Sequence, residues 1–271
     1  NEMKVVLLAG GFGTRISEES ENTPKPLIEI GGQPIIWHIM KEYSYYGFND
    51  FIICAGYKQY MMKEWFADYF LHNSDVTFDY TSGENVTIIH EQHCDPWKVT
   101  VVDTGLNTMT GGRIKRVQKY IQDDAFMMTY GDAVCDVDIK KLLDFHKKHG
   151  RIATLTAVMQ KQQKGVLNID GSNAVKSFRE KNVVDSAPIN AGYMVLNSEI
   201  FDYLEGDKTV FEREPMERLA KDSQLMSYIH KGFWQCMDNK REMDILNKMV
   251  ENGNAPWIKW EKSVKINEKV E

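Results

Sequence analysis

Three observations predict a doubly wound α/β fold: the continuous apolar run Val5-Val6-Leu7-Leu8-Ala9, the glycine turn Gly10-Gly11 directly behind it, and a regular alternation of further apolar runs with stretches of helical period. A run without polar alternation is what a parallel strand buried on both faces requires. Ile35 to Tyr46 follows as a helix, with Ile36, Ile39, Met40 and Tyr43 on one stripe. Phe51 to Cys54 is the next buried strand, Lys58 to Tyr69 an amphipathic helix, Val86 to His90 and Val99 to Val102 short strands, and Gly112 to Ile121 a helix. Phe126 to Tyr130 is a further buried strand and runs into Gly131-Asp132. In open sheets of this kind ligands collect outside the carboxyl ends of the strands. The glycine turn and Asp132 are therefore expected along one edge.

From Ile152 the pattern changes to short, turn-bounded strands at 153–158, 165–169, 174–179 and 191–196. Helices at 198–203 and 215–221, strands at 225–230 and 234–237, and a helix from Lys240 to Glu251 complete the chain. The expectation is a Rossmann-like doubly wound mixed sheet with a smaller β-rich extension. One domain spans 3–260, with a first part to about 135 and a second part over 136–260, and 261–271 is read as a charged tail.

The 271 residues carry a formal charge of −6, which leaves no basic excess to neutralise a nucleic-acid backbone. Cys54, Cys94, Cys135 and Cys236 are far apart and form no Cys-x-x-Cys pair, so neither a disulfide framework nor a zinc site is indicated. His90, His93 and Cys94 lack a fourth ligand and paired spacing, which favours a structural role. No run approaches the roughly 20 apolar residues of a membrane span. A reducing cytoplasm is the expected setting.

Glycines let a backbone approach phosphate oxygens closely, and Arg15 with Lys25, in Pro24-Lys25-Pro26, adds two cationic donors suited to a polyphosphate. Two familiar glycine loops do not fit. No Gly-Lys-Ser/Thr closes the motif, and a dinucleotide fingerprint beginning at Gly11-Phe12-Gly13 would need glycine where Ile16 stands.

The string Gly10-Gly11-Phe12-Gly13-Thr14-Arg15 with Pro24-Lys25-Pro26 resembles the signature of the sugar-phosphate nucleotidyltransferases, which join a nucleoside triphosphate to a sugar phosphate and release pyrophosphate. Ile30-Gly31-Gly32-Gln33-Pro34, Val102-Asp103-Thr104-Gly105, Met109-Thr110-Gly111-Gly112-Arg113 and Gly232-Phe233-Trp234-Gln235 are similar to the glucose-1-phosphate cytidylyltransferase branch. The resemblance implies CTP and α-D-glucose 1-phosphate as substrates, Mg²⁺ as cofactor and a homo-oligomer. Leu8, Ala9, Gly10, Gly11, Gly13, Thr14, Arg15 and Lys25 would cradle the nucleotide, Arg15, Lys25 and Asp132 would serve catalysis, and Asp132 and Asp238 would hold the metal. Thr110 and Gly111 would bring backbone amides to the pyrimidine edge and Arg113 a cation to phosphate. Glu180, Lys181 and Asn190 would bind the acceptor.

The chemistry suits such a site. A phosphate monoester, with its second pKa about 6, is mostly dianionic at pH 7 and needs no strong base. The difficulty is bringing two anions together, which calls for a carboxylate-held divalent cation and basic side chains. The family writes Gly-Asp-Gly, Glu-Lys-Pro and Asn-Gly-Gly where this chain has Gly131-Asp132-Ala133, Glu180-Lys181-Asn182 and Asn190-Ala191-Gly192. The added methyls are expected to crowd the acceptor pocket, which keeps another hexose phosphate or a polyol phosphate open as the acceptor. A non-catalytic nucleotide sensor is the alternative of a different class.

Overall fold

The apolar runs become strands of a seven-stranded sheet: β1 (Lys4–Ala9), β2 (Asp50–Ala55), β3 (Lys98–Asp103), β4 (Phe126–Tyr130), β5 (Ala153–Gln160), β6 (Ala187–Leu196) and β7 (Leu225–His230), in the order β7-β5-β6-β4-β1-β2-β3. The computed structural model describes residues 2–11, 16, 22–122, 124–160, 166–169, 172, 174–179 and 187–261. β1 runs parallel to β2 and β4, β2 to β3, and β5 to β7, while β6 is antiparallel to both of its neighbours.

The helices are α1 (Ile35–Tyr45), α2 (Gln59–His72), α3 (Thr110–Arg116), α4 (Gln118–Ile121), α5 (Ile139–His149), α6 (Glu214–Lys221) and α7 (Lys240–Glu251). They cover both faces of the sheet, which explains the unbroken apolar strands. Val5, Leu7 and Ala9 pack into one core with α1, Met62 of α2, α5 and Leu246 of α7. Val6 and Leu8 point into the other, with Ile114 and Ile121 of α3 and α4, Leu219 of α6, and Ile200 and Phe201 of a 3₁₀ turn.

Several expectations are corrected. α5 lies where the sequence pattern shows no helix, because its many lysines obscure the stripe of Ile139, Leu142 and Leu143. Its ends are nonetheless encoded: the Asp138 side chain accepts from the Lys141 amide at 3.0 Å, and Gly150 closes the helix at φ +67°. The helix expected at 112–121 starts at Thr110 and breaks at Val117 into two short pieces. Val86–Gln92 pairs with the unforeseen strand Ser74–Asp79 as a hairpin outside the main sheet. In the second half, β5, β6 and β7 continue the main sheet, while among the described residues Val166–Ile169 pairs with Val175–Arg179, and Trp234–Cys236 with Ala133–Cys135, apart from it.

The aromatic residues near the C-terminus belong to the core. Trp257 is fully buried, Phe233 stacks on it at 5.5 Å, and Trp260 meets Trp37 edge-on at 5.7 Å. His38 lies beneath this cluster, its Nε2 at 2.7 Å from the Ile30 carbonyl and its Nδ1 at 3.2 Å from the indole N–H of Trp257. That pattern requires a neutral ring donating through Nε2 and accepting through Nδ1. Burial pushes its pKa down to about 4, against backbone hydrogen bonds to Ile30 and Gln33 that would raise it. The unfolded chain therefore takes up a proton below about pH 6.5 that the folded protein refuses, so this contribution is whole above 6.5 and lost progressively towards 4. The loss should approach about 3 kcal/mol. Denaturant titrations across this window should slope less for His38→Gln than for wild type; parallel profiles would reject the coupling.

Among the described residues no helix is long and apolar enough to cross a membrane, and the four cysteines are unpaired.

Candidate active site

Loops leaving the carboxyl ends of β1, β3 and β4 enclose a cavity of ≈ 420 Å³. Its lining draws on Leu8 to Gly11, on Leu106 to Thr110 with Arg113, on Lys25-Pro26, and on Tyr130 to Asp132. The edge expected from strand order is therefore the edge that holds the cavity.

The glycine at position 10 is dictated by Arg113. A Cβ there would lie 2.0 Å from the guanidinium, whereas at Gly11 it would meet nothing. Arg113 itself is buried and donates to Thr104 Oγ1 (2.9 Å), the Gly105 carbonyl (2.8 Å) and the Leu106 carbonyl (3.3 Å). Burial lowers its pKa, yet a guanidinium stays charged, and no carboxylate pairs with it among the described residues. Fixed positive charge thus sits against the glycine loop, where an anion would enter.

Lys25 is set by its own neighbours. Pro26 packs close to Gly131, where a Cβ would be 3.2 Å from the proline Cγ and 2.8 Å from the Leu8 carbonyl. The Gly131 amide donates to that same carbonyl at 2.9 Å. Only glycine admits both approaches. The Lys25 ammonium then reaches Asp132 Oδ2 at 3.1 Å and also hydrogen-bonds Asp238 Oδ1. Asp238 comes from far along the chain because Trp234–Cys236 pairs antiparallel with Ala133–Cys135, and the Met237 amide donates to the Asp132 carbonyl at 2.8 Å. Burial raises the Asp132 pKa, with Lys25 offsetting part of the effect. For the more exposed Asp238, burial acts upward, but the hydrogen bond and charge of Lys25 together with hydrogen bonds to Cys236 and Asp132 outweigh it and hold the carboxyl low. Both carboxylates raise the Lys25 pKa against its own burial, so the ammonium stays charged.

The segment after β3 departs from expectation. The Gly111 and Gly112 amides donate to the Thr209 carbonyl at 2.8 and 3.3 Å, and a Cβ at Gly111 would lie 2.7 Å from that oxygen. The two glycines thus serve packing against 207–209, and the Gly111 amide does not face a pyrimidine. Thr110 does line the cavity. Its hydroxyl donates to Glu212 Oε2 at 2.6 Å and accepts from the Phe211 amide at 2.9 Å. Glu212, which no local pattern marks, also takes the Tyr130 hydroxyl at 2.5 Å. Asn190 accepts from the Gly192 amide at 2.9 Å and hydrogen-bonds Tyr130, so its side chain shapes the cavity from behind. Gly192 is required twice over, by φ +80° and by the Tyr130 ring 2.1 Å from a would-be Cβ.

Of the residues singled out from sequence, Leu8, Ala9, Gly10, Gly11, Lys25, Thr110, Arg113 and Asp132 line the cavity, and Asp238 joins it through Lys25. Gly13, Thr14, Arg15, Glu180 and Lys181 lie outside the described residues, as does most of the tail. Ala133 and Ala191 are buried and are not among the residues that line this cavity. Among the described residues Cys236, Asp238 and Glu242 do bring ligand atoms within 4.8 Å of one another. Glu242, however, accepts the Asp238 amide at 2.6 Å at the start of α7, and the Cys236 thiol is pushed up to about 12 by burial. That trio is a helix terminus rather than a thiolate site.

The family model described as Nucleotidyl transferase matches residues 4–238. The chain belongs to the nucleotidyl transferase family. Within it the chain is 53% identical over 260 residues to the glucose-1-phosphate cytidylyltransferase of Salmonella typhi, covering 96% of this chain and all of that one. It is 30% identical over 255 residues to the mannose-1-phosphate guanyltransferase of Saccharomyces cerevisiae, covering 92% of this chain and 64% of that one. The solved structure of HddC from Yersinia pseudotuberculosis complexed with GMP-PN superposes with a TM-score of 0.66 at 24% identity, over 92% of this chain and 99% of that one, and speaks for the fold alone. Family members thus carry names that differ in both base and sugar, so a nucleotidyltransferase must set its base by local features of the cavity.

Proposed function

We propose that this nucleotidyltransferase transfers a cytidylyl group from CTP to a sugar 1-phosphate, α-D-glucose 1-phosphate first among acceptors, giving CDP-glucose and pyrophosphate. The observation that carries the reading is the convergence of Lys25, Asp132 and Asp238 at the edge of a cavity also lined by the glycine turn and Arg113. The name of the Salmonella relative supports the choice of base and sugar. A phosphate oxygen of the sugar 1-phosphate attacks the α-phosphorus and forms the new P–O bond, while the bond to the bridging oxygen of the β-phosphate breaks and pyrophosphate leaves. No side chain needs to take a proton from an acceptor that is already dianionic.

The protein's own part is electrostatic. Arg113 holds fixed positive charge against the glycine turn, and Lys25 supplies a second cation, held between Asp132 and Asp238. Asp132 and Asp238 fit Mg²⁺, because two hard carboxylate oxygens already converge on one cationic atom. Held there, the ion would supply charge neutralisation between the two phosphates.

The test is a pyrophosphate-release screen of four nucleoside triphosphates against sugar and polyol phosphates with Mg²⁺ present. CTP with glucose 1-phosphate should give the highest rate. Background rates for every pair, in protein that still binds CTP, would reject the enzyme reading in favour of a sensor.

A homo-oligomer is part of the same proposal. Its support is the hairpin of 74–92 and its flank, where Phe78, Tyr80, Val86 and Ile88 are all exposed, Tyr80 by 67%. Light scattering at micromolar concentration should give a mass above 31.3 kDa; a monomer would refute it. The unpaired cysteines support a reducing cytoplasm as its setting.

A further inference from the structure

Thr110 and Tyr130 reach the cavity from different loops, one after β3 and one at the end of β4, and a single carboxylate receives both of their hydroxyl protons. Glu212 lies just ahead of α6 and is outside every motif used above. The polarity of the two hydroxyls follows from their partners. Thr110 directs its proton to Glu212 Oε2 and takes the Phe211 amide on one lone pair, which leaves the other lone pair free. Tyr130 directs its proton to Glu212 Oε1, and Asn190 hydrogen-bonds the same hydroxyl. Burial, reinforced by the Glu212 charge, keeps that proton on the phenol. Thr110 can therefore accept a hydrogen bond from a ligand but has none to give.

That polarity separates bases. Cytosine presents an exocyclic amine, an N–H donor, where uracil and thymine present a carbonyl oxygen. Facing Thr110, the amine finds an acceptor, whereas a carbonyl would meet a lone pair and remain desolvated without a partner. Lys25 and the glycine turn enter the lining from the first part of the chain and Thr110 from the segment after β3, so the base is placed on the Thr110 wall.

We infer that Glu212 is a positioning residue for base selection: by holding the protons of Thr110 and Tyr130 it makes Thr110 an acceptor for the cytosine amine and turns away a carbonyl in the same place. The inference rests on the CTP reading given above, and the test separates the two. kcat/KM for CTP and UTP would be measured in wild type, Glu212→Ala, Glu212→Gln, Thr110→Val and Thr110→Ser, alongside calorimetric affinities for CMP and UMP. Glu212→Ala frees both protons, so the CTP-to-UTP ratio should fall at least about tenfold, chiefly through KM and with UTP improving in absolute terms. Glu212→Gln, which can still satisfy one hydroxyl, should fall between that variant and wild type. Thr110→Val should weaken CTP about tenfold to a hundredfold without helping UTP, and Thr110→Ser should keep the wild-type ratio.

A merely structural role for Glu212 would depress both triphosphates together and leave the ratio within twofold of wild type, which would overturn the inference. Should no variant or wild type turn over any triphosphate, the nucleotidyl-transfer reading fails while the CMP-to-UMP affinity ratio still reports selection. Equal affinity of wild type for the two monophosphates would overturn the inference by itself. A Glu212→Ala protein that melts early is replaced by the Thr110 pair, whose opposite outcomes decide the same point.

Discussion

Lys25→Ala is expected to lower kcat/KM for nucleotidyl transfer at least about a hundredfold, because it removes a charge-assisted donor to phosphate worth about 1.5–3 kcal/mol and also the cation that Asp132 and Asp238 share. The second effect makes the site unusual. With Lys25 gone, the mostly buried Asp132 loses the cation that offsets its burial, and the nearby Asp238 charge raises its pKa further. Activity should therefore shift its acid limb to higher pH as well as fall, since a carboxylate that holds its proton is lost as a metal ligand. Lys25→Arg keeps the charge but brings a planar fork in place of a compact ammonium, and should recover only part of the loss. Steady-state kinetics over pH 5 to 9 at saturating Mg²⁺ would decide the matter. Rates within threefold of wild type at pH 7.5 would show that the lysine serves the fold alone.

Much of this geometry is written locally in the chain, and some of it is not written locally at all. The unbroken run Val5 to Ala9 announces a strand covered on both faces, and the two cores that take alternate residues bear that out. Lys25 between two prolines and Asp132 after a glycine announce fixed backbones, and Pro26 against Gly131 is the contact that uses them. What local pattern cannot convey is partnership across the fold. Asp238 reaches Lys25 only because a three-residue pairing, Trp234–Cys236 on Ala133–Cys135, carries it back. Glu212 meets Thr110 across 102 positions and sits in no motif. The glycines at 111 and 112 mislead for the converse reason: a Gly-Gly pair looks the same whether it makes room for a ligand or for residues 207–209 of the same chain. α5 was missed although Asp138 and Gly150 mark its ends, since the polar lysines between them dilute the periodic signal that caps alone could have rescued.

The largest effect belongs to the two aspartates. Asp132→Asn and Asp238→Asn each keep side-chain size while removing a charge from a position where two carboxylates converge on a cation. Mg²⁺ prefers hard anionic oxygens, so an amide is a poor substitute, and turnover should fall about a thousandfold or more in either variant while melting behaviour without metal stays close to wild type. Asp238 is the sharper test because it is the more exposed and its replacement disturbs packing least; Lys25 would still be held by Asp132 at 3.1 Å. If both residues serve one ion, losing either disables the same ion, and the double variant should be scarcely slower than the singles. Independent roles would instead make the losses multiply. A second readout avoids reliance on rates. The Mg²⁺-dependent rise in melting temperature with CTP bound should be present in wild type and shrink together in all three variants. Near wild-type turnover of Asp238→Asn at limiting Mg²⁺, with that rise intact, would remove Asp238 from the metal site and leave its hydrogen bond to Lys25 as a purely structural contact.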